Sequence, residues 1–154
     1  ILPLPSHGTP FAMYDAVLIP VDLSATNDLV LDRATDLGVP GETNITLLHV
    51  IEMLDDIPLD EDPEFYEELR ENAQAKITQW AEKLTEAGYA VTAEVKYGES
   101  GQAQEIVATA REAPADLIIM RSHVVDPDES SDQVGTVSHQ VALFAPCSVL
   151  LVRG

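Results

Sequence analysis

Basic side chains are scarce in this sequence: 8 Lys and Arg stand against 27 Asp and Glu, for a formal charge of -19. So acidic a chain repels a bare phosphate backbone and an anionic bilayer alike, which excludes nucleic acid and charged membranes as principal partners. Cysteine is nearly absent. With Cys147 alone, no internal disulfide can form and a cysteine-rich metal site is ruled out, as suits a reducing cytoplasm. No apolar run approaches the ~20 residues that span a bilayer. The opening stretch ILPLPSHGTPFA also lacks the basic and long apolar regions of a secretory signal. The expectation is a cytoplasmic protein without membrane insertion.

What the chain does contain is enough apolar material for one core. A chain of 154 residues fits a single domain that hides roughly 68 to 70% of its unfolded surface. Its 45% hydrophobic content, arranged periodically, argues against disorder despite the charge. An acidic excess of this size repels itself unless salt screens it, so a salt-adapted host is inferred. Residues 1 to 12 hold three prolines and a glycine in their first ten positions, and Met13 is a natural start. They are read as an N-terminal extension, of vector or read-through origin, ahead of a domain covering 13 to 154.

Five short apolar runs alternate with helical patterns: AVLIPV (16 to 21), ITLLHV (45 to 50), VTAEV (91 to 95), DLIIM (116 to 120) and SVLLV (148 to 152). Near-continuous apolar runs mark strands buried on both faces, whereas the alternating VTAEV belongs at an edge. Between them lie four helices. The first carries Val30, Ala34 and Leu37. The second opens at Asp62 and Pro63 and carries Phe65, Leu69, Ala73, Ile77, Trp80 and Leu84. The third carries Ala103, Ile106, Val107 and Ala110, and the fourth Val137, Val141 and Phe144. The predicted fold is α/β, a doubly wound five-stranded parallel sheet of order 3-2-1-4-5 with helices on both faces.

In such a sheet a ligand binds beyond the carboxyl ends of the strands, where their order reverses. That places Pro20, Val21 and Asp22 on one side of a crevice and Met120, Arg121, Ser122 and His123 on the other. VGTVS (134 to 138) opens the fourth helix across from them. There Gly135 allows close backbone approach, Thr136 can cap, and free amides favour an anion. The same residues also serve as ordinary capping.

The motifs MYDAVLIPVDLS, ITLLHVIE, YGESGQAQEIVATA, DLIIMRSH, VGTVSHQV and APCSVLLVRG, in that order over residues 13 to 153, resemble those of the universal stress proteins. The resemblance implies the doubly wound fold, a role in stress survival, and a homodimer joined through the last strand, here Val149, Leu150, Leu151 and Val152. An apolar edge strand left bare would invite uncontrolled pairing, which agrees. One branch of the family binds ATP through a glycine, two residues, a glycine, nine residues, then glycine and Ser or Thr. By that resemblance Asp22 would meet the ribose, Val50 the adenine edge, and Gly135, Thr136 and Val137 the phosphates.

The ATP pattern is damaged in this chain. Arg121 and Val124 replace the two glycines, and ten residues rather than nine separate Val124 from Gly135. A Cβ at a phosphate loop costs roughly 1 to 2 kcal/mol wherever left-handed geometry is needed. VDPDESSDQ also adds Asp126, Asp128, Glu129 and Asp132 beside the space for a polyphosphate. Arg121 either grips phosphate in a bidentate way or folds onto Asp22 or the acidic loop and closes the crevice; the second reading is preferred.

Other chemistries find less footing. The acids after His123 loosely echo a calcium loop, but Ser131 and Val137 stand where it needs glycine and glutamate, and no metal is expected. The acidic stretch 52 to 68, with nine acids and no base, is read as a solvated loop entering the second helix. Cys147 lacks a basic neighbour, Ser122 beside His123 is adjacency without geometry, His49 is read as structural and His139 as exposed. DLSATND lacks the Ser-Gly-Gly-x-Asp-Ser of the ATP-pyrophosphatase branch. The expected function is a dimeric binding or regulatory module acting on an unidentified protein partner, with weak or no ATP binding and no obligatory cofactor. Two alternatives stand beside it: an ATP- or AMP-binding switch using Arg121 with Gly135 and Thr136, and a slow nucleotide hydrolase.

Overall fold

The computed structural model describes residues 12–24, 27–122 and 136–153. Its elements run β1 (Ala16–Pro20), α1 (Asp28–Leu37), β2 (Asn44–Glu52), α2 (Pro63–Glu86), β3 (Ala90–Gly98), α3 (Gln102–Glu112), β4 (Leu117–Arg121), α4 (Val137–Phe144) and β5 (Ser148–Val152). The five strands form one parallel sheet in the order β3-β2-β1-β4-β5, as the alternation of strands and helices predicts. The half-buried VTAEV segment lies in β3, at an edge.

Because side chains alternate across a strand, each central strand feeds two cores. Val17, Ile19, Ile45, Leu47 and Ile119 face α1 and α2, where Val30, Ala34, Ile77, Trp80 and Leu84 meet them. Leu18, Leu48, Val50, Ile118 and Met120 face α3 and α4, against Ala103, Ile106, Ala110 and Val141. The sheet's entry edge is tied by Asp116, whose carboxylate accepts from the backbone amides of Asp15 (2.8 Å) and Ala16 (3.1 Å).

Local chemistry sets the helix ends. Asp62 caps α2 by accepting from the Phe65 amide at 3.1 Å, and Pro63 at the first helical position needs no donor partner. Thr136 caps α4 by accepting from His139 N at 3.4 Å. Three helical stripes differ from the periodic reading. Leu37, placed on the α1 stripe, is 38% exposed, and Leu31 is buried instead. Tyr66 is the fully buried aromatic of α2, while Phe65 and Leu69 are only half-buried. Phe144 is 64% exposed. It is the last residue of the short α4 and, with Gln140, lines a surface hollow shared with Ala103, Val107 and Arg111 of α3. In the edge strand β5, Val152 is buried in the first core, whereas Val149, Leu150 and Leu151 are half-buried.

The first turns of α2 carry Glu64, Glu67, Glu68 and Glu71 on exposed positions, giving like-charge pairs at three- and four-residue spacing. Together these pairs oppose the helix by roughly 1 to 2 kcal/mol at low ionic strength. Raising KCl from 0.1 to 2 M is therefore expected to raise the thermal midpoint by roughly 2 to 8 °C. A flat series by circular dichroism would remove the claim that charge repulsion limits this fold.

Candidate functional site

The crevice arises because neighbouring strands end at different heights. β1 pairs with β2 only from Ala16 with Asn44 to Pro20 with Leu48, and the ladder closes with Val21 N donating to Leu48 O at 2.8 Å. β2 continues to Glu52. Peptide groups alternate sides along a strand, so the N–H and C=O of Val50, two residues past Leu48, point into the space that β1 has vacated. On the other flank β4 runs to Arg121. The result is an open pocket of about 300 Å³ at the reversal of strand order, at the small end of ligand sites.

Its floor is apolar, made by Pro20, Val21, Leu48, Val50, Ile106 and Met120. Its polar rim comes from Asp22, Asn27, His49, Gln102, Arg121, Thr136 and Ser138, with Val137 beside them. Of the residues singled out in the sequence, Pro20, Val21, Asp22, Val50, Met120, Arg121, Thr136 and Val137 all line this one crevice. His123 and Gly135, with the loop between them, lie outside the described residues.

Asp22 is exposed at the mouth and held by its own loop. Its Oδ1 accepts from Ser24 N at 2.8 Å, from the Ser24 hydroxyl, and from Asn27 Nδ2 at 2.8 Å. Among the described residues, the three bonds that the Asp22 carboxylate accepts all fall on Oδ1. Burial alone would raise the Asp22 pKa, but the Ser24 hydroxyl and amide, the Asn27 amide and the Arg121 charge outweigh it and hold it below the ordinary 3.8. The group is an anion at neutral pH. Its lowered pKa adds stability that is present above pH 3.8 and is lost as pH falls through the folded value.

Asn27, Gln102 and Ser138 escaped the sequence reading. Asn27 is 1% exposed and also donates to the carbonyls of Asp22 (2.6 Å) and Ser24 (2.8 Å). Its place just before an apolar helical run was a legible capping signal, although its side chain serves the preceding loop instead of the helix amides. Gln102 Nε2 donates to Val50 O at 3.3 Å, a contact across 52 positions that no local pattern announces. Ser138 Oγ lies 3.2 Å from Thr136 Oγ1 and donates to Ser122 Oγ at 3.5 Å, joining the start of α4 to the end of β4. His49 is structural, as expected, with Nδ1 2.8 Å from Val21 O, and it also borders the crevice.

A parallel sheet of this order, with a crevice beyond its strand ends at the reversal, defines a doubly wound α/β domain. The model of the Universal stress protein family matches residues 13–153, and the chain belongs to that family. It is 26% identical over 151 residues to the universal stress protein YxiE of Bacillus subtilis (strain 168), covering 92% of this chain and all of that protein. The solved structure of the hypothetical protein MJ0577 is 27% identical, with a TM-score of 0.77 over 92% of this chain and 97% of that one. A universal stress protein family member from Arabidopsis thaliana, solved with AMP bound, has a TM-score of 0.65 at 17% identity, covering 90% of each chain. At that identity the likeness is one of fold. Among the described residues no helix is long and apolar enough to cross a membrane.

Proposed function

We propose that the protein is a binding module of the stress response whose crevice takes the nucleoside end of an adenine nucleotide and has given up most of the triphosphate contacts. The observation that carries this reading is the ionised Asp22, fixed through Oδ1 by Ser24 and Asn27 at the mouth of an apolar crevice. Its carboxylate suits a ribose hydroxyl, the apolar floor suits a flat base, and the paired N–H and C=O of Val50 suit a base edge. The AMP bound to the Arabidopsis relative, which has the same fold, supports the choice of ligand.

Against a triphosphate stand the side chains of Arg121 and Val124 at the glycine positions and the acids of 126 to 132. The positive charge of Arg121 helps to hold the Asp22 carboxyl in its ionised form. ATP is therefore expected to bind no more than about tenfold tighter than AMP, because the extra phosphates add few contacts here. Asp22→Ala is expected to weaken both by roughly tenfold or more, the worth of a hydrogen bond to a charged group. Calorimetric titration with AMP and ATP is the test. Micromolar ATP binding far tighter than AMP would overturn the altered-crevice reading, and an Asp22→Ala variant that binds normally would move the ligand elsewhere.

The same reading makes the protein a salt-adapted cytoplasmic homodimer, joined through the free edge of β5, that modulates a protein partner. The sheet ends at β5, whose Val149, Leu150 and Leu151 are incompletely covered. A monomer by sedimentation at high salt would sink the dimer.

A further inference from the structure

We infer that Gln102 selects the base: its carboxamide, held against Val50, forms a second acceptor for the exocyclic amine of an adenine-type edge and turns away 6-oxo purines. The inference rests on the crevice reading above. Val50 presents a donor and an acceptor side by side, which match a base carrying a ring acceptor next to an amine. A 6-oxo purine such as hypoxanthine reverses that order, with an oxygen where the amine would be.

Gln102 sharpens the match. It is the first residue of α3, entered through Gly101 at φ 105°, a conformation that L side chains rarely adopt. Gly98 brings that helix start against Val50: a Cβ there would lie 2.9 Å from Val50 Cγ1, 3.1 Å from Ile51 O and 3.6 Å from Gln102 N. From this seat Gln102 Nε2 donates to Val50 O at 3.3 Å. A carbonyl oxygen has two lone pairs, so the bond leaves Val50 O one more donor to accept. It also holds the carboxamide by its nitrogen, and the inference assigns Gln102 Oε1, on the same carbon, to the second hydrogen of the amine. An exocyclic amine has two hydrogens, one for Val50 O and one for Gln102 Oε1. A 6-oxo oxygen there would face two acceptors and satisfy neither, the kind of mismatch by which polar sites reject an analogue.

Gln102→Met keeps the length and volume of the side chain and removes both polar atoms, and thermal unfolding confirms that the variant is folded. Calorimetric titration with AMP and with IMP gives the preference of each protein. The expected result is that the variant loses about five- to tenfold of the AMP-over-IMP preference, mostly through weaker AMP binding. An unchanged ratio overturns the inference. So does tighter binding of both nucleotides, which would make Gln102 a plug that the base must displace. If the unmodified protein binds neither nucleotide, the crevice reading and this inference fall together. If AMP binds and Asp22→Ala weakens it while Gln102→Met leaves the ratio intact, only this inference falls.

Discussion

Asn27→Asp is expected to cost about 3 to 5 kcal/mol of stability at pH 7 and to remove nucleotide binding, a large effect for the exchange of one amide for one carboxyl. The native amide nitrogen is buried at 1% exposure and donates to three acceptors, the carbonyls of Asp22 and Ser24 and the Asp22 carboxylate. The new carboxylate would offer only acceptors to that set, one of them already ionised. It would stay buried and unpaired, or hold its proton at the cost of a raised pKa. The sign of the pH response follows. A carboxyl whose folded pKa is raised destabilises above its unfolded value, so the variant should recover stability as pH falls from 7 toward 5. Asp22 works in the opposite sense, because its lowered pKa gives stability that disappears only below pH 3.8. Asn27→Ala, which adds no charge, should lose less, about 1 to 3 kcal/mol for the orphaned carbonyls. Denaturant unfolding at pH 7 and pH 5 separates the cases, and an Asn27→Asp variant within 1 kcal/mol of the parent at pH 7 would refute the account.

The strands were legible because burial on both faces leaves little choice of composition. LIIM and VLIP fit strands buried on both faces of a parallel sheet, and their alternation with helices pointed to the order β3-β2-β1-β4-β5 that the sheet has. Asp22 followed from that order, since it lies just beyond the end of β1 beside the reversal, whereas Val50, inside β2, came only from the family resemblance. Three features were not legible, each because it depends on a partner brought in by the fold. The Gln102 bond is to a backbone oxygen that carries no sequence signal. Phe144 continues the Val137 and Val141 stripe on paper, but α4 is eight residues long and Phe144, its last residue, lines a surface hollow shared with α3. Phe65 and Tyr66 are both aromatic and adjacent, so periodicity could not tell which one entered the core. The deciding factor was the hydroxyl, because a buried ring with a polar tip is retained where acceptors and donors meet that tip.

Tyr66→Ala should destabilise the protein by about 3 to 5 kcal/mol, the range for truncating a fully buried aromatic. The ring is 0% exposed and meets Phe65 edge-on at 5.1 Å and Tyr97 at 6.1 Å. Its hydroxyl accepts from Leu54 N at 3.1 Å and donates to Ile57 O, so one side chain closes the loop between β2 and α2. That loop carries Asp55, Asp56, Asp60 and Glu61, whose mutual repulsion would otherwise splay it. Tyr66→Phe isolates the tip from the ring: about 1 to 3 kcal/mol should be lost with the core intact, and the Leu54 amide should exchange faster with solvent. Because Leu54 follows β2 by only two residues, loosening there reaches the end of the strand that carries Val50, and AMP affinity should fall with it. Equal stability of Tyr66→Phe and the parent in denaturant, with unchanged exchange at Leu54, would show that the hydroxyl is incidental and that packing alone holds the loop.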